Sequence, residues 1–496
     1  METHSNTFRG NTTRAALVAG ARTVASAVAS TIGPKGMNAI LRADAPPYYV
    51  VTNDGVSIAR EIHMDDPMEE LGADIMREVA NRADKESGDG TTTTMVLADA
   101  ILGDAGQSFG MEEKRSLDAC VPLIDVLVDE QKKKIGTGEV KAVASISAED
   151  EELGQVIQDI YERIGPSGII ELDVSGLRET TWEEKDGVRL RNCGYMMTYM
   201  PNKGGKAVYS NPKILIARQV IKTLNDIDPI FKQLADSGIH ELVMFVEDIS
   251  PEVLQPLAYT HGKGIFKTLV IKAPMLWKDW LFEDFAAITG ATIVGLENGI
   301  MMKNATLQHL GTCDKLVTGM DETIVTGIKD VSSHIEKIRE LGGDDAELRV
   351  SWLQTKAAVL RIGANSESEL SYKRLKAEDA RNAAWLALQD GIVPGGGSML
   401  ASIADKMPDT VGGNILRKAL KAPAAQIAKN AGYDLQIGAD YSNGMGFDAN
   451  KMEFRDMFEA GIVDPAGVVK NAVRNAVSVA GTVLTAEIVT LKKKDA

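Results

Sequence analysis

A glycine-rich turn, Gly88-Asp89-Gly90, constrains this chain most, because it joins two segments with helical periodicity. Before it, apolar residues recur at helical spacing from Met68 to Ala83, and Asp66-Pro67-Met68-Glu69 is typical of a helix start. After it, the small and apolar residues from Met95 to Ile101 predict a second helix. The first amides of that helix lack partners within the helix, so its tip favours anions.

Asp89 and the threonines that follow it suit a phosphate site. An aspartate and a phosphate repel each other unless a cation lies between them, so the turn predicts Mg²⁺ bridging Asp89 and the phosphates. Thr91, Thr92 and Thr93 are poor helix-interior residues, but at a helix start they can turn hydroxyls toward a ligand. A purely structural interpretation is open for this motif alone: Asp89 would be a helix cap and the threonines a first turn.

Length and charge limit the function classes. A chain of 496 residues is too long for one ordinary core, so two or three domains are expected. Hydrophobic residues make up 44% and charged residues 25%, as in water-soluble globular proteins. The balance of 54 basic and 70 acidic residues gives a net charge of −16, which argues against nucleic acid and anionic membranes as partners.

The cysteines and the N-terminal sequence favour the cytoplasm. Cys120, Cys193 and Cys313 are widely spaced and odd in number, which suggests neither a disulfide framework nor a zinc cluster. The first residues lack a basic segment followed by an apolar run, and nowhere do eighteen apolar residues follow one another. We therefore expect a cytoplasmic protein.

Two further glycine-containing turns precede the central one. A predicted helix over residues 12–31 ends at Thr31-Ile32-Gly33-Pro34-Lys35-Gly36, and a short strand, Tyr48 to Val51, turns at Thr52-Asn53-Asp54-Gly55. Each turn is weak support by itself. Together, the three turns present a lysine, two aspartates and a threonine cluster, which is the assortment that a metal-bound triphosphate needs.

At these spacings, Thr31–Gly36, Asn53–Glu61 and Gly88–Thr93 resemble the ATP-binding motifs of the chaperonins. The resemblance extends through almost the whole chain, in segments such as Ser145–Ala148, Lys272–Pro274, Ala305–Gly311, Ala377–Ala380, Gly395–Gly397 and Gly461–Pro465. The chain is identified as a divergent member of the group I, GroEL-type branch. Its apical segment, about 170 residues from Gly187 to Lys356, has no room for the helical protrusion of the archaeal and eukaryotic branch.

The resemblance implies a multi-domain subunit. It has an all-α equatorial domain (1–130 and 391–496), an α/β intermediate domain (131–186 and 358–390) and an α/β apical domain (187–357). The residue pattern agrees for the apical part, because predicted strands alternate with helices as in a βαβ fold. These strands lie near Ile214–Ala217, Leu242–Val246, Thr268–Ile271 and Thr292–Val294.

The resemblance also implies an ATPase. Asp379, within the predicted helix Leu375–Gln389, would orient and deprotonate the attacking water, with Asp54 assisting. By itself, a lone helical aspartate would be interpreted as a surface charge. ATP and Mg²⁺ are the implied cofactors, with Mg²⁺ at Asp89 and K⁺ a further candidate. The implied nucleotide-binding residues are Thr31, Ile32, Gly33, Pro34, Asn53, Gly88, Asp89, Gly90, Thr91, Thr92, Thr93, Gly396, Asp448, Ala449 and Asp464.

Within that set, Asp464 would hold the ribose hydroxyls, and Asp448 stands near a usual asparagine beside the adenine. Asp464 precedes a long Ala/Val helix, predicted from Val468 to Leu491 and expected to be buried.

Paired apical helices would form a groove for unfolded clients and for the loop of a separate lid co-chaperonin. The implied groove residues are Tyr195, Tyr199, Met200, Phe231, Leu254 and Tyr259. A Met- and Tyr-rich surface suits adaptable binding. The alternative is structural, because an apolar stripe on a helix usually faces the core of its own domain.

The implied assembly is a homo-oligomeric ring, of seven subunits in the resemblance, as one ring or two, without nucleic acid or membrane. Some residues depart from the family pattern: Asn53 replaces a usual lysine, Asp228 a usual apolar residue, and Lys356 one of a usual glycine pair. These departures keep open an alternative, a ring scaffold or holdase with weak or lost ATPase cycling. A small-molecule phosphotransferase is disfavoured, because the sequence has no Walker-type motif.

Overall fold

The computed structural model describes residues 5–42, 49–104, 109–175, 178–196, 200, 205–274, 278–320, 322–343, 345–435 and 439–492. The chain divides into two compact units. The first contains Met1–Pro166, Leu172–Thr181 and Arg361–Ala496, and the second contains Ser167–Glu171 and Trp182–Leu360.

The helices in the described residues are α1 (Asn11–Ala29), α2 (Gly55–Glu61), α3 (Pro67–Ser87), α4 (Thr91–Asp104), α5 (Met111–Asp118), α6 (Val121–Gln131), α7 (Lys141–Ala148), α8 (Glu151–Ile164), α9 (Leu224–Asp236), α10 (Pro251–Gly262), α11 (Lys278–Thr289), α12 (Ser332–Leu341), α13 (Ala346–Leu353), α14 (Glu367–Asp390), α15 (Ser398–Ala404), α16 (Val411–Ala419), α17 (Ala422–Asn430) and α18 (Ala466–Leu484). In this part of the chain, no helix combines the length and apolar character that crossing a bilayer requires.

The strands are β1 (Ser5–Arg9), β2 (Ala39–Arg42), β3 (Tyr49–Thr52), β4 (Ile169–Val174), β5 (Thr181–Arg191), β6 (Ala207–Ser210), β7 (Ile214–Ile221), β8 (Glu241–Ile249), β9 (Lys267–Lys272), β10 (Ile293–Val294), β11 (Lys315–Thr318), β12 (Glu322–Thr326), β13 (Lys356–Ile362), β14 (Ile392–Pro394), β15 (Met445–Asp448), β16 (Glu453–Asp456), β17 (Val463–Pro465) and β18 (Ile488–Lys492).

The first unit is mainly helical, and α1, α3, α4 and α18 share its apolar core. The predicted start of α3 is confirmed: Asp66 caps the helix by accepting hydrogen bonds from the amides of Met68 (2.8 Å) and Glu69 (3.1 Å). Buried Ala and Val residues lie along α18, as its composition predicts. The turn at Gly88 lies at the end of α3, within this packed group of helices.

Two glycines let α1 and α3 approach each other closely. A Cβ atom at Gly20 of α1 would overlap the carbonyl oxygen of Glu69, and one at Gly72 of α3 would overlap that of Leu17. Each helix therefore packs its glycine against the backbone of the other, and a larger side chain at either position would push the helices apart.

The C-terminal helix is shorter than its sequence predicts. The helix expected from Val468 to Leu491 ends at Leu484, and β18 pairs antiparallel with β1, with Val489 opposite Phe8. The predicted end of the helix was wrong because the partner strand comes from the other end of the chain. Helical periodicity cannot reveal such a partner.

Two residues of the charge run Asp129–Lys134 take part in a group of ion pairs. Lys132 pairs with Asp129 (2.8 Å) and Asp390 (2.6 Å), and Lys470 pairs with the same two aspartates (2.9 and 2.5 Å). The resulting charge-assisted hydrogen bonds hold the pKa of Asp129 below its usual value. This group of charges ties the C-terminal end of α14 to α6 and α18.

The second unit is α/β. Its parallel sheet has the strand order β10–β7–β8–β9, which confirms the predicted apical strands. The strands β5, β12, β11 and β6 pair antiparallel in that order. The main segment of this unit, Trp182–Leu360, lies close to the apical range 187–357. The division of the first unit into equatorial and intermediate parts stays a prediction.

We predict that Gly72→Ala lowers the free energy of unfolding by about 1 to 3 kcal/mol, because the added methyl group overpacks the contact between α1 and α3. Urea unfolding of the assembled protein measures the change. Gly103→Ala is the matched control: Gly103 also lies in a helix, but its Cβ atom would be no nearer than 3.4 Å to any atom, the closest belonging to the Arg22 side chain. Equal urea midpoints for the two variants would contradict the close-packing interpretation.

Candidate functional site

The turn between α3 and α4 is built for close approach. Gly88 ends α3 in the left-handed conformation (φ 58°), and Gly90 has φ 79°. A Cβ atom at Gly88 would overlap Asn382 of α14, and one at Gly90 would lie 2.5 Å from Val468 Cγ1 of α18. Only glycine fits at both positions, so the turn lies directly against α14, which carries Asp379.

The Asp89 carboxylate is held from two sides. One oxygen accepts a hydrogen bond from the Gly90 amide (2.5 Å) and the other from the Ser147 hydroxyl (3.0 Å). Neither bond caps the amides of Thr91–Thr93 at the start of α4. Burial raises the pKa of Asp89 although both hydrogen bonds favour the ionised form. The negative charge at this turn is therefore incompletely compensated by the protein.

Asp54 is the N-cap residue of α2, which is an ordinary structural role for an aspartate in a turn. Its carboxylate accepts hydrogen bonds from the Val56 amide (3.3 Å), the Ser57 amide (2.8 Å) and the Ser57 hydroxyl (2.6 Å). It nevertheless lies close enough to Asp379 to raise the pKa of that residue. The structure thus brings two of the predicted turns and α14 together.

Asp379 is a further carboxyl of this group whose pKa is raised. Burial and the neighbouring charges of Asp89 and Asp54 raise its pKa well above the usual value, while Lys376, one turn earlier on α14, acts in the opposite direction. A carboxylate with a raised pKa is a better proton acceptor near neutral pH.

Lys376 and Glu149 form an ion pair at the same place. The ammonium lies 2.7 Å from Glu149, and the amide nitrogen of Asn53 donates to both oxygens of that glutamate (2.8 and 3.0 Å). Burial alone would lower the pKa of Lys376, but its ion pair with Glu149, together with the charge of Asp379 and the effect of Tyr372, outweighs burial and the pKa is raised. Glu149 itself has φ 55°, a conformation that costs a non-glycine residue about 1 kcal/mol or more.

Asp464 completes the acidic cluster. Pairing of β14 with β17 sets Asp464 opposite Val393, beside the turn Gly395–Gly397. Burial and the charge of Asp89 raise the pKa of Asp464 to about 7. A cavity of about 70 Å³ is lined by Asp464, Asp89, Gly90, Thr93, Gly397 and apolar residues of α15 and α18. That volume suits a phosphate group rather than a whole nucleotide, since pockets for larger ligands start at roughly 300 Å³.

Three further residues predicted to bind the nucleotide, Ile32, Asp448 and Ala449, lie in one region of the first unit. Ile32 packs in one apolar cluster with Phe447 and Ala449, and Tyr433 stacks on Phe447 at 4.6 Å. The Asp448 carboxylate accepts from the amides of the next turn and lies 3.6 Å from Arg455. The Thr31 hydroxyl donates to its own helix. Their roles toward a nucleotide stay predictions.

A magnesium ion shared with phosphates fits these donors. Among the described residues, no group of three or more His, Cys, Asp or Glu side chains is arranged to hold a metal ion alone. Mg²⁺ usually keeps several waters and takes one or two carboxylates plus the substrate phosphates. Asp89, whose pKa burial raises, is such a carboxylate, and a cation beside it would offset its charge.

The predicted client-binding residues differ in exposure. Tyr259 is 64% exposed, whereas Leu254 is 7% and Met200 0% exposed, and the Met200 sulfur accepts from the Val270 amide. Tyr195 donates its hydroxyl to the Gly205 carbonyl. Met200 is therefore a core residue in this conformation. Tyr199 lies outside the described residues.

Helix α9 carries an apolar stripe that includes Ile227, Ile230 and Leu234. All three residues are buried, as expected if the stripe faces the core of its own domain. The ring of Phe231 packs on that of Phe266, with 4.8 Å between the ring centroids.

Sequence reasoning missed Ser147, Glu149 and Lys376 as site residues. Ser147 belongs to a segment that carried the resemblance, without a role. The signal for Lys376 is its spacing of three residues from Asp379, which sets both on one face of a helix. Nothing in the sequence signals Glu149, because its partners lie 96 and 227 positions away.

The chain matches the model of the TCP-1/cpn60 chaperonin family over residues 24–116 and 126–494. It is 34% identical to the RuBisCO large subunit-binding protein subunit alpha, chloroplastic, of Triticum aestivum, over 97% of this chain and 94% of that protein.

Two crystal forms of the chaperonin gp146 from bacteriophage EL, determined in the presence of ATP-BeFx, are similar in fold. One has a TM-score of 0.73 at 19% identity and the other 0.66 at 20% identity. Each match covers 98% of this chain and 99% of the phage chain.

We predict that Asp464→Asn stabilises the protein at alkaline pH, by about 2 kcal/mol near pH 8.5. The folded-state pKa of about 7 lies above the ordinary carboxyl value, so the stability contributed by protonated Asp464 is fully present below about pH 4 and lost as the pH rises through 7. Asparagine keeps the shape of the protonated form. Urea unfolding at pH 8.5 and pH 5.5 should show a gain that shrinks at the lower pH.

Asp440→Asn is the control for this prediction. A hydrogen bond from the Ser442 hydroxyl lowers the pKa of Asp440, so its replacement brings no gain at alkaline pH. A gain for Asp464→Asn that stayed the same at both pH values would refute the assignment.

Proposed function

Because this chain belongs to the TCP-1/cpn60 chaperonin family and is therefore a ring-forming folding chaperone, we propose that it binds ATP with magnesium and hydrolyses it to ADP and phosphate. One observation carries the proposal: the carboxylates of Asp89 and Asp379 converge on the glycine turn that opens α4, and the pKa values of both are raised. The phage chaperonin of similar fold, crystallised with ATP-BeFx, supports it.

Each residue has a role in this proposal. The amides and hydroxyls of Thr91–Thr93 bind the phosphates, and Gly88 and Gly90 let the backbone approach them. Asp89 holds the magnesium ion, which when bound neutralises phosphate charge. Asp379 orients the attacking water and accepts its proton, and Asp54, which also caps α2, assists it. Ile32 and Ala449 belong to the apolar cluster beside the adenine, with Asp464 toward the ribose.

We propose that nucleotide binding moves α14, which carries Asp379, relative to the turn at Gly88. We propose that this movement is coupled to exposure and withdrawal of the apical surface, so that captured clients are released into an enclosed chamber. A ring of seven subunits, single or double, and a separate lid co-chaperonin belong to the same proposal.

The proposed clients are unfolded proteins. The name of the wheat relative, a RuBisCO large subunit-binding protein, supports binding of other polypeptides by the family. In this chain, Tyr259 at the end of α10 supplies exposed apolar surface, together with Ile265, which is 60% exposed. The exposed Asp228 of α9 would disfavour strongly apolar clients.

The proposed location is the cytoplasm. The free, buried cysteines Cys120, Cys193 and Cys313 support a reducing compartment.

We predict that Asp379→Asn lowers the rate of ATP hydrolysis at least about a hundredfold, because the amide cannot accept the proton. ATP affinity should change only a few-fold, since the side chain keeps its size. Steady-state phosphate release and equilibrium binding measure the two effects. Glu367→Gln, at the exposed first turn of the same helix, is the control and should keep full turnover.

Unchanged turnover in Asp379→Asn would overturn the catalytic assignment. A wild-type protein that binds ATP and clients without any turnover would favour the alternative, a ring scaffold or holdase.

We predict that Tyr259→Ala weakens capture of a denatured client about tenfold without changing the urea midpoint, because the removed ring is exposed. Capture is measured by the amount of client that the ring keeps from aggregating. Leu341→Ala, which removes a 73% exposed side chain of α12, is the control. Equal loss of capture in both variants would show that Tyr259 has no particular role.

A further inference from the structure

We infer that Lys376 is a positioning residue of the nucleotide site: its buried ammonium balances the charges of Asp89 and Asp379, and Glu149, held by Asn53, fixes where that ammonium lies. The inference rests on the proposed ATPase function and adds to it residues of α14 and of the α7–α8 turn.

Burial distinguishes this ion pair from surface pairs. The Lys376 side chain is 12% exposed, whereas Glu149 is 46% exposed. An ammonium removed from water needs more compensation than one half-solvated carboxylate supplies. Glu149 lies 2.7 Å from the ammonium, and Lys376 also interacts electrostatically with Asp89 and Asp379, so three carboxylates share its charge.

Asn53 fixes the orientation of Glu149. Its amide nitrogen donates to both carboxylate oxygens, so the reverse orientation, with the amide oxygen against them, is excluded by repulsion. The Tyr372 hydroxyl donates to the same glutamate at 3.4 Å. Glu149 therefore has partners from the β3–α2 turn and from α14.

The turn that carries Glu149 also reaches the phosphate turn. Ser147, two residues earlier, donates to Asp89. Glu149 is held with positive φ, which a glutamate rarely adopts. The short segment Ser147–Glu149 therefore contacts both Asp89 and Lys376. We expect a substitution at Glu149 to shift the positions of both side chains.

The Lys376 ammonium would offset part of the negative charge that a bound nucleotide adds to this site. A nucleotide brings several negative charges to a site where Asp89, Asp379 and Asp54 already interact. In the described residues around these carboxylates, Lys376 is the cation that acts on both Asp89 and Asp379. Removing its charge should weaken nucleotide binding by about tenfold, the effect of one charge a few ångströms away in a partly solvated site.

The experiment measures equilibrium binding of magnesium-ADP to the assembled full-length protein by calorimetry, in wild type, Lys376→Gln, Lys376→Arg and Glu149→Gln. ADP is used because no turnover is needed for the measurement. Lys373→Gln is the matched control: it removes the same charge one turn earlier on α14, from a lysine paired with Glu369. The native mass of every variant establishes that the ring forms.

We expect about tenfold weaker binding in Lys376→Gln, recovery to within about threefold in Lys376→Arg, and little change in Lys373→Gln. Glu149→Gln is the decisive variant. If Glu149 positions Lys376, its loss weakens binding, whereas a role through net charge alone would tighten binding because one negative charge is removed.

Tighter binding in Glu149→Gln would overturn the positioning role. Unchanged binding in Lys376→Gln, with a wild type that binds, would overturn the inference and leave the proposed function intact. If Lys376→Gln did not assemble, Lys376→Arg and Glu149→Gln would decide in the same way. A wild type that bound no magnesium-ADP would refute the proposed function and the inference with it.

Discussion

The close approach of the Gly88–Gly90 turn to α14 and α18 is the constraint on which the first unit depends. Side chains larger than hydrogen at Gly88 or Gly90 would collide with Asn382 or Val468. Because the turn lies against these helices, Asp89 is brought near Asp379 and Asp464, which come 290 and 375 residues later in the chain. The same contact leaves the start of α4 directed into the site.

Bringing several carboxylates together in a buried place is unfavourable, because their negative charges repel one another and lose contact with water. Burial and mutual repulsion raise the pKa values of Asp89, Asp379 and Asp464. Several carboxyls whose pKa values are raised together are typical of functional sites, which makes this cluster a candidate site. Lys376 and Ser147 relieve part of the charge, and a magnesium ion shared with phosphates is suited to relieve the rest.

The second unit differs from the first in that its predicted binding residues lie mostly in an apolar core. Its parallel sheet is covered by helices whose apolar stripes face inward, and among the described residues of the predicted groove only Tyr259 is largely exposed. The burial of Met200 and Leu254 shows how a Met- or Leu-containing segment can belong to a domain core while resembling a binding surface. Surface for clients has to come from side chains at helix ends or from a change of conformation.

The sequence by itself determined what local pattern can carry: the ends of α3, the glycine turn, the parallel strands of the second unit and the family. Caps, turns and periodicity depend on residues close together in the chain, so they can be predicted from the sequence alone. Only the tertiary structure decided that α18 gives way to a strand paired with β1, that Asp54 is a helix cap within reach of Asp379, and that Glu149 joins Asn53 to Lys376. These three features depend on contacts between residues more than 90 positions apart, or on burial that the fold imposes. Contacts and burial of this kind produce no periodic pattern in the sequence, so the sequence does not predict them.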